Sequence, residues 1–181
     1  MTGLSRGDRV GVGVFDRQVS TWIPPERGQH RLSKLIESLT SIQPILLEAD
    51  YVGAVSRLVN QQSRRALVVI ITDIVDRTAS GELLLALARL TPRYLPFCVT
   101  LRDPLVDKLA HAETFPRKNQ QVHEKISAAY SRGVAIDLLS QREVAFAELK
   151  QKGVLVLDAP VNQISTELVD RYLQLKSRNL L

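Results

Sequence analysis

The sequence predicts an α/β domain with a mainly parallel sheet, on three observations. Residues 66–71 are all apolar and 68–71 are all β-branched, as in a strand that is buried on both faces in the middle of a parallel sheet. Other apolar runs of strand length alternate with segments of helical periodicity. The chain has no internal repeat, low-complexity tract or linker. We therefore expect residues 1–181 to form one domain with right-handed crossover connections.

Composition and charge limit the classes of protein to which this chain can belong. Of its 181 residues, 45% are hydrophobic and 24% are charged, as in ordinary soluble globular domains. The net charge is +5, but basic residues are mixed with acids, which favours solvated surfaces over a nucleic-acid-binding face. No apolar run reaches the length of a membrane helix, and the N-terminus has no signal-peptide core. Cys98 lies in an apolar run and has no second cysteine to pair with, so a cytoplasmic location is predicted.

The first elements are predicted to form a β-hairpin. Residues 9–15 alternate, with valines on one face and two glycines on the other, which indicates a strand over which a helix packs closely. A tight turn leads to a second strand over 18–23, which Pro24 and Pro25 end and mark as a sheet edge. The glycines are not a phosphate-binding loop, because the third glycine and the following helix are missing.

Helices and strands alternate from there to the C-terminus. Helical spacing over 32–39 precedes a loop with Pro44, and Asp50 is a good N-cap for the next helix. Past the apolar strand, a helix is expected to begin at Thr78 or Ser80 and to end near Pro92. Next come a strand over 95–101 and a helix that Asp103 caps, with Pro104 at its first position. A charged helical region is expected over 116–152, and Gly133 is expected to divide or kink it. The last elements are a strand over 154–157 and a closing helix capped by Ser165.

Two acids follow the apolar strand, at a place where α/β sheets bind ligands. Ligands of open α/β sheets collect outside the carboxyl ends of the strands, and Asp73 and Asp76 lie there in the sequence. The alternative is that they only close a strand and lead into a loop, and both interpretations remain open. The three histidines have no metal-ligand spacing, and the chain has neither a nucleophile elbow nor a phosphate-binding loop.

Several short motifs resemble those of a known family. Residues 9–19 look like the second-strand hairpin of a von Willebrand factor A-like domain, and 68–73 look like that fold's fourth strand with its terminal Asp. A closer resemblance is to the bacterial "domain of unknown function 58" family, whose genes often neighbour MoxR-type AAA+ ATPases. It implies a three-layer Rossmann-like, von Willebrand A-type sheet, mainly parallel with an antiparallel edge strand. The segments that carry it are 24–32, 48–51, 101–104, 153–160 and 171–176.

The resemblance also implies what this chain lacks. Von Willebrand A domains hold a divalent metal with an Asp-x-Ser-x-Ser motif, a loop Thr and the Asp after the fourth strand. This chain has no Asp-x-Ser-x-Ser, and the loop Thr falls near Ala49, which cannot bind a metal. Only Asp73 remains, so we expect no cofactor and at most weak Mg²⁺ binding there. The chain begins where the second strand does, so it is predicted to be a C-terminal portion that lacks the first strand, with relatives anchored in the membrane upstream.

Two functions from different classes follow from this interpretation. The favoured one is a protein-interaction module without enzymatic activity, whose partner context is a MoxR-type AAA+ ATPase. The other is a Mg²⁺-dependent hydrolase or phosphotransferase that uses Asp73 and Asp76. Without the first strand, we expect either that strands 9–15 and 66–72 pair directly or that the chain forms a homodimer through open edges. The residues predicted to bind the partner, here called the rim, are Asp16, Asp50, Tyr51, Asp73, Arg102 and Asp103.

Overall fold

The computed structural model describes residues 2–43, 45, 47–74, 80–112 and 122–180. The chain divides into two compact units, Met1–Ser63 and Arg64–Leu181. The strands form two sheets rather than the single sheet that the sequence predicted. In chain order the elements are α1 (Thr2–Ser5), β1 (Val10–Phe15), β2 (Val19–Glu26), α2 (Arg31–Thr40), α3 (Tyr51–Gln61), β3 (Leu67–Thr72), α4 (Gly81–Ala88), β4 (Leu95–Arg102), α5 (Pro104–Ala110), α6 (Val122–Gln151), β5 (Leu155–Pro160) and α7 (Val161–Ser177).

The first unit contains the predicted hairpin. β1 pairs antiparallel with β2, Val12 opposite Ile23 and Val14 opposite Thr21. β2 does not stop at the two prolines but continues to Glu26, because a strand with one neighbour can lack N–H groups on its open side. Gly11 permits a close approach of the strands, since a Cβ there would lie 2.8 Å from the Ile23 carbonyl oxygen.

Two helices follow the hairpin in the first unit. The helix predicted over 32–39 is α2, and it buries Leu35. The predicted N-cap of α3 is confirmed, because Asp50 accepts a hydrogen bond from the Gly53 backbone N–H at 2.7 Å. Satisfying an unpaired donor of the first helical turn in this way is typical of aspartate at helix starts. The loop that contains Pro44 lies partly outside the described residues.

The second unit is built on a parallel sheet in the order β3–β4–β5. Its central strand is β4, in which residues 96–100 are all buried. The prediction that 66–72 is a strand was correct, but its expected burial on both faces was wrong. Val68 and Ile70 are buried, whereas Val69 is 37% and Ile71 is 62% exposed. The alternation of buried and exposed residues along β3 means that one face of the strand is covered and the other is open to solvent.

The starts of α4 and α5 follow the sequence prediction, while the start of α7 and the expected break in the long helix do not. Asp103 caps α5 by accepting from the Leu105 backbone N–H at 2.8 Å, with Pro104 in the first position, and α4 follows Ser80. Gly133 does not divide α6, because one glycine costs only about 1 kcal/mol in a 30-residue helix. α7 begins at Val161, four residues before the predicted cap at Ser165. No described helix has the length and hydrophobicity needed to span a membrane.

The single cysteine offers a test of the packing of β4. Cys98 is fully buried, and burial raises the pKa of its thiol from 9.0 to about 12, against the opposing effect of the positive charge on Arg142. The folded state disfavours the thiolate, so ionisation of Cys98 favours the unfolded chain. The stabilisation that comes from keeping this thiol neutral is therefore complete below pH 9 and is lost as the pH rises toward 12. We expect the urea midpoint of the native chain to fall more steeply from pH 8 to about pH 11 than that of Cys98→Ala. Equal pH dependence of both chains would contradict this burial.

Candidate binding site at the strand ends

A buried arginine links the three strands of the second unit's sheet to its long helix. Arg142 lies on α6, and its side chain is only 9% exposed. Its Nη1 donates to Asp73 Oδ1 at 2.9 Å, and its Nη2 donates to Asp158 Oδ1 at 2.9 Å. Nη2 also donates to the Leu101 carbonyl oxygen at 3.3 Å. One guanidinium therefore contacts residues on or just after all three strands of the sheet.

The two acids of this cluster differ in their surroundings. The Asp158 side chain is 21% exposed and also accepts from Thr100 Oγ1 at 2.9 Å. The Asp73 side chain is 60% exposed, and within the described part of the chain Arg142 is its hydrogen-bond partner. Asp158 is thus held by two donors inside the sheet, while Asp73 presents most of its carboxylate to solvent.

The chemistry of Arg142 decides what the cluster can do. A guanidinium keeps its charge at any physiological pH and has no acceptor, so it can position and neutralise the acids but cannot transfer a proton. The group also lies 5.6 Å from the centre of the Phe146 ring, a distance suited to a cation–π contact. Its Nε is buried without a hydrogen-bond partner among the described residues. The cluster is therefore suited to fixing Asp73 at the strand end.

Three of the six predicted rim residues lie in this unit. Asp73 follows β3, Arg102 is the last residue of β4, and Asp103 comes directly after it. The Asp103 carboxylate is the cap of α5. Arg102 Nε lies 3.1 Å from Asp107 Oδ2, an ion pair without hydrogen-bond geometry. The structure thus places these residues at the carboxyl ends of neighbouring parallel strands, as the sequence predicted. Asp76 lies outside the described residues.

The other three rim residues lie together in the first unit. The Asp50 backbone N–H donates to the Asp16 carbonyl oxygen at 2.8 Å, and Asp16 Oδ1 accepts from the Gln18 backbone N–H at 3.1 Å. The Tyr51 ring meets the Phe15 ring edge to face, with centres 5.6 Å apart. These contacts join the end of β1 to the start of α3, and they give both carboxylates a local structural role.

Arg142, Asp158 and Thr100 were missed by the sequence analysis. A signal for Arg142 exists: buried residues of α6 recur at 135, 142, 145, 146 and 149, so a charged residue occupies the apolar stripe. A charge at such a position needs a buried partner of opposite sign. Asp158 ends the last predicted strand, as Asp73 ends an earlier one, which makes it the obvious partner in a parallel sheet.

Comparison with known proteins identifies a family. No curated protein and no solved structure matches the chain. Among the described residues, no group of three or more His, Cys, Asp or Glu side chains is placed to hold a metal ion. A model of the family described as "Protein of unknown function DUF58" matches residues 2–114. Because this match covers more than half of the 181 residues, the chain belongs to the DUF58 family.

Proposed function

We propose that this chain is a non-catalytic protein-interaction module with a von Willebrand factor A-like fold, and that its partner is a MoxR-type AAA+ ATPase. The observation that carries the proposal is the position of Asp73. One of its oxygens is held 2.9 Å from Arg142, while 60% of the side chain is exposed. A carboxylate that is fixed in place and open to solvent is well suited to accept a charge-assisted hydrogen bond from a partner protein.

Two features of the architecture support the assignment to a von Willebrand A-like fold. The three strands β3, β4 and β5 are parallel, and helices connect them. An antiparallel hairpin precedes them in the chain, as the resemblance implies. By the resemblance, Asp73, the acid that follows β3, corresponds to the last metal-binding aspartate of that fold. Here Arg142 supplies a positive charge to that aspartate.

The state of the other rim acids supports interaction rather than catalysis. Asp16, Asp50 and Asp103 each accept a backbone N–H in a turn or a helix cap. An acid–base pair for catalysis needs a group whose pKa lies near the working pH, and Arg142 cannot fill that role. Within each unit, the rim residues are better suited to presenting charges that a partner surface recognises.

The competing hypothesis is a Mg²⁺-dependent hydrolase or phosphotransferase that uses Asp73 and Asp76. Because the Arg142 guanidinium already holds Asp73 Oδ1, a cation would have to bind the other oxygen or displace the guanidinium. Calorimetric titration of the full chain with Mg²⁺ and with Mn²⁺ separates the two functions. Saturable binding tighter than roughly 100 µM would favour the hydrolase, since such affinity requires several oxygen ligands.

The test of the proposed function is capture of the MoxR-type ATPase encoded nearest to this gene. Asp73→Asn removes the charge but keeps the shape, so we expect about tenfold weaker binding of the immobilised ATPase. The matched control is Asp170→Asn, an exposed acid on α7, which should bind like the native chain. Unchanged binding by Asp73→Asn would contradict the proposal. A melting temperature lowered by several degrees with binding intact would assign Asp73 a structural role instead.

A further inference from the structure

The edge of β3 lacks the features that protect other sheet edges from association. β2 carries Pro24 and Pro25, and β5 carries Asp158 and Pro160. β1 is interrupted by two irregularities of register. Prolines, charges and bulges of this kind block pairing with another chain. β3 has none of them: its six residues are Leu-Val-Val-Ile-Ile-Thr, and its register with β4 is continuous from Leu67 to Thr72.

The hydrogen-bonding groups at this edge can be assigned. The Leu95 backbone N–H donates to the Ala66 carbonyl oxygen, and Leu67 is the Cα partner of Leu95. In a parallel strand, the N–H and C=O of one residue point to one side and those of the next point to the other. Those of Val68 and Ile70 therefore point toward β4. Those of Leu67, Val69 and Ile71 point to the side with no partner strand among the described residues.

Two of these three residues, Val69 and Ile71, also carry exposed apolar side chains, and the Leu67 side chain is partly exposed. Val69 is 37% and Ile71 is 62% exposed, and alternate residues of a strand share one face of the sheet. An extended segment that pairs with this edge would satisfy the backbone groups of these residues and place its own side chains beside theirs on the exposed face. The edge therefore has both requirements for strand addition.

We propose that β3 pairs antiparallel with β3 of a second copy of this chain, with Val69 opposite Val69 across a two-fold axis. This alignment places Leu67 opposite Ile71 of the second copy, and Arg65 opposite its Asp73. Arg65 is exposed and the Asp73 side chain is 60% exposed, so opposite charges meet at both ends of the paired strands. Cross-strand pairs of opposite charge and of apolar residues both stabilise antiparallel sheets.

Two further arguments favour this alignment and a closed dimer. Centring the axis on Ile70 would place Leu67 opposite the charge of Asp73, which loses the ion pair. A two-fold pairing uses the open edge of both copies and leaves β5 at each end of the joined sheet. Because β5 carries Asp158 and Pro160, assembly stops at the dimer. This inference does not rest on the proposed partner. Asp73 belongs to both proposed surfaces, whereas Arg102 and Asp103 take no part in the dimer.

Cross-linking of the full chain tests the alignment. Cα atoms of a hydrogen-bonded antiparallel pair lie about 5.5 Å apart, within the range of a disulfide, so oxidised Val69→Cys should form a covalent dimer. In Ile71→Cys the two thiols would lie four residues apart along the strands, about 13 Å, and should not cross-link. The native Cys98 is fully buried and adds no background. A dimer from Ile71→Cys but not from Val69→Cys would overturn the alignment.

Sedimentation of uncross-linked protein tests the surface itself. Ile71→Lys places a charge in the proposed contact of both copies and should raise the dissociation constant of the dimer about 100-fold. The matched control is Ile126→Lys on α6, since Ile126 is 63% exposed and Ile71 is 62%; it should leave the dimer unchanged. A native chain that sediments as a monomer at micromolar concentration would overturn the proposal, as would equal effects of both variants. A monomer whose Val69 and Ile71 amides resist hydrogen exchange would show that the edge is covered within one chain.

Discussion

Replacing Arg142 with methionine is expected to lower the free energy of unfolding by about 3–5 kcal/mol. Methionine keeps the apolar stem of the side chain but removes the guanidinium, whose charge Asp73 and Asp158 share. Removing one partner of a buried ion pair is costly because the other charge is left without compensation. Here the group left behind is mainly Asp158, whose side chain is only 21% exposed. Urea unfolding followed by circular dichroism measures the loss.

The control for this prediction is Arg171→Met on the surface of α7. Arg171 is exposed and donates to Gln174 Oε1 at 3.2 Å, a contact within one helix that contributes little. We expect a change within about 0.5 kcal/mol, as for most surface substitutions. A loss below about 1 kcal/mol for Arg142→Met would mean that the cluster does not hold the sheet to α6.

The elements of this fold were largely predictable because their signals are local. The run over 66–72 and the caps at Asp50 and Asp103 depend on neighbours within a few residues, and all three were found where expected. The exposure of Ile71 was not predictable in this way. An apolar run has the same sequence whether one or both of its faces are covered, and only the tertiary partners of β3 decide. The absence of a break at Gly133 has a similar cause, since packing over a long helix outweighs one weak position.

The candidate site was predictable only in part, for a physical reason. The position of acids at strand ends follows from the strand pattern, and it brought Asp73, Arg102 and Asp103 into one region. The residue that organises the region comes from α6, 69 positions after Asp73. Contacts over such distances depend on how the helix packs on the sheet, which no local pattern reports. Only the charge within an apolar stripe pointed to Arg142, and this signal names no partner.

The roles of the two acids can be separated by their removal. Asp158→Ala is expected to cost about 2–4 kcal/mol, because it leaves the nearly buried Arg142 with a single acid and Thr100 Oγ1 without its closest acceptor. Asp73→Ala is expected to cost less than about 1 kcal/mol, because its side chain is 60% exposed and water screens and replaces such a pair. Urea unfolding measures both losses of stability, when the dependence of the free energy of unfolding on urea concentration is the same for the native chain and the variants.

A double variant shows whether Asp158 acts through Arg142. Once Arg142→Met has removed the guanidinium, the carboxylate of Asp158 has lost its counter-charge. Adding Asp158→Ala should then cost much less than it does in the native chain. The double variant should therefore lose clearly less than the sum of the two single losses. Additive losses would mean that Asp158 stabilises the sheet mainly through Thr100. A larger cost for Asp73→Ala than for Asp158→Ala would reverse the roles, making Asp73 the structural anchor and removing the basis for a free binding carboxylate.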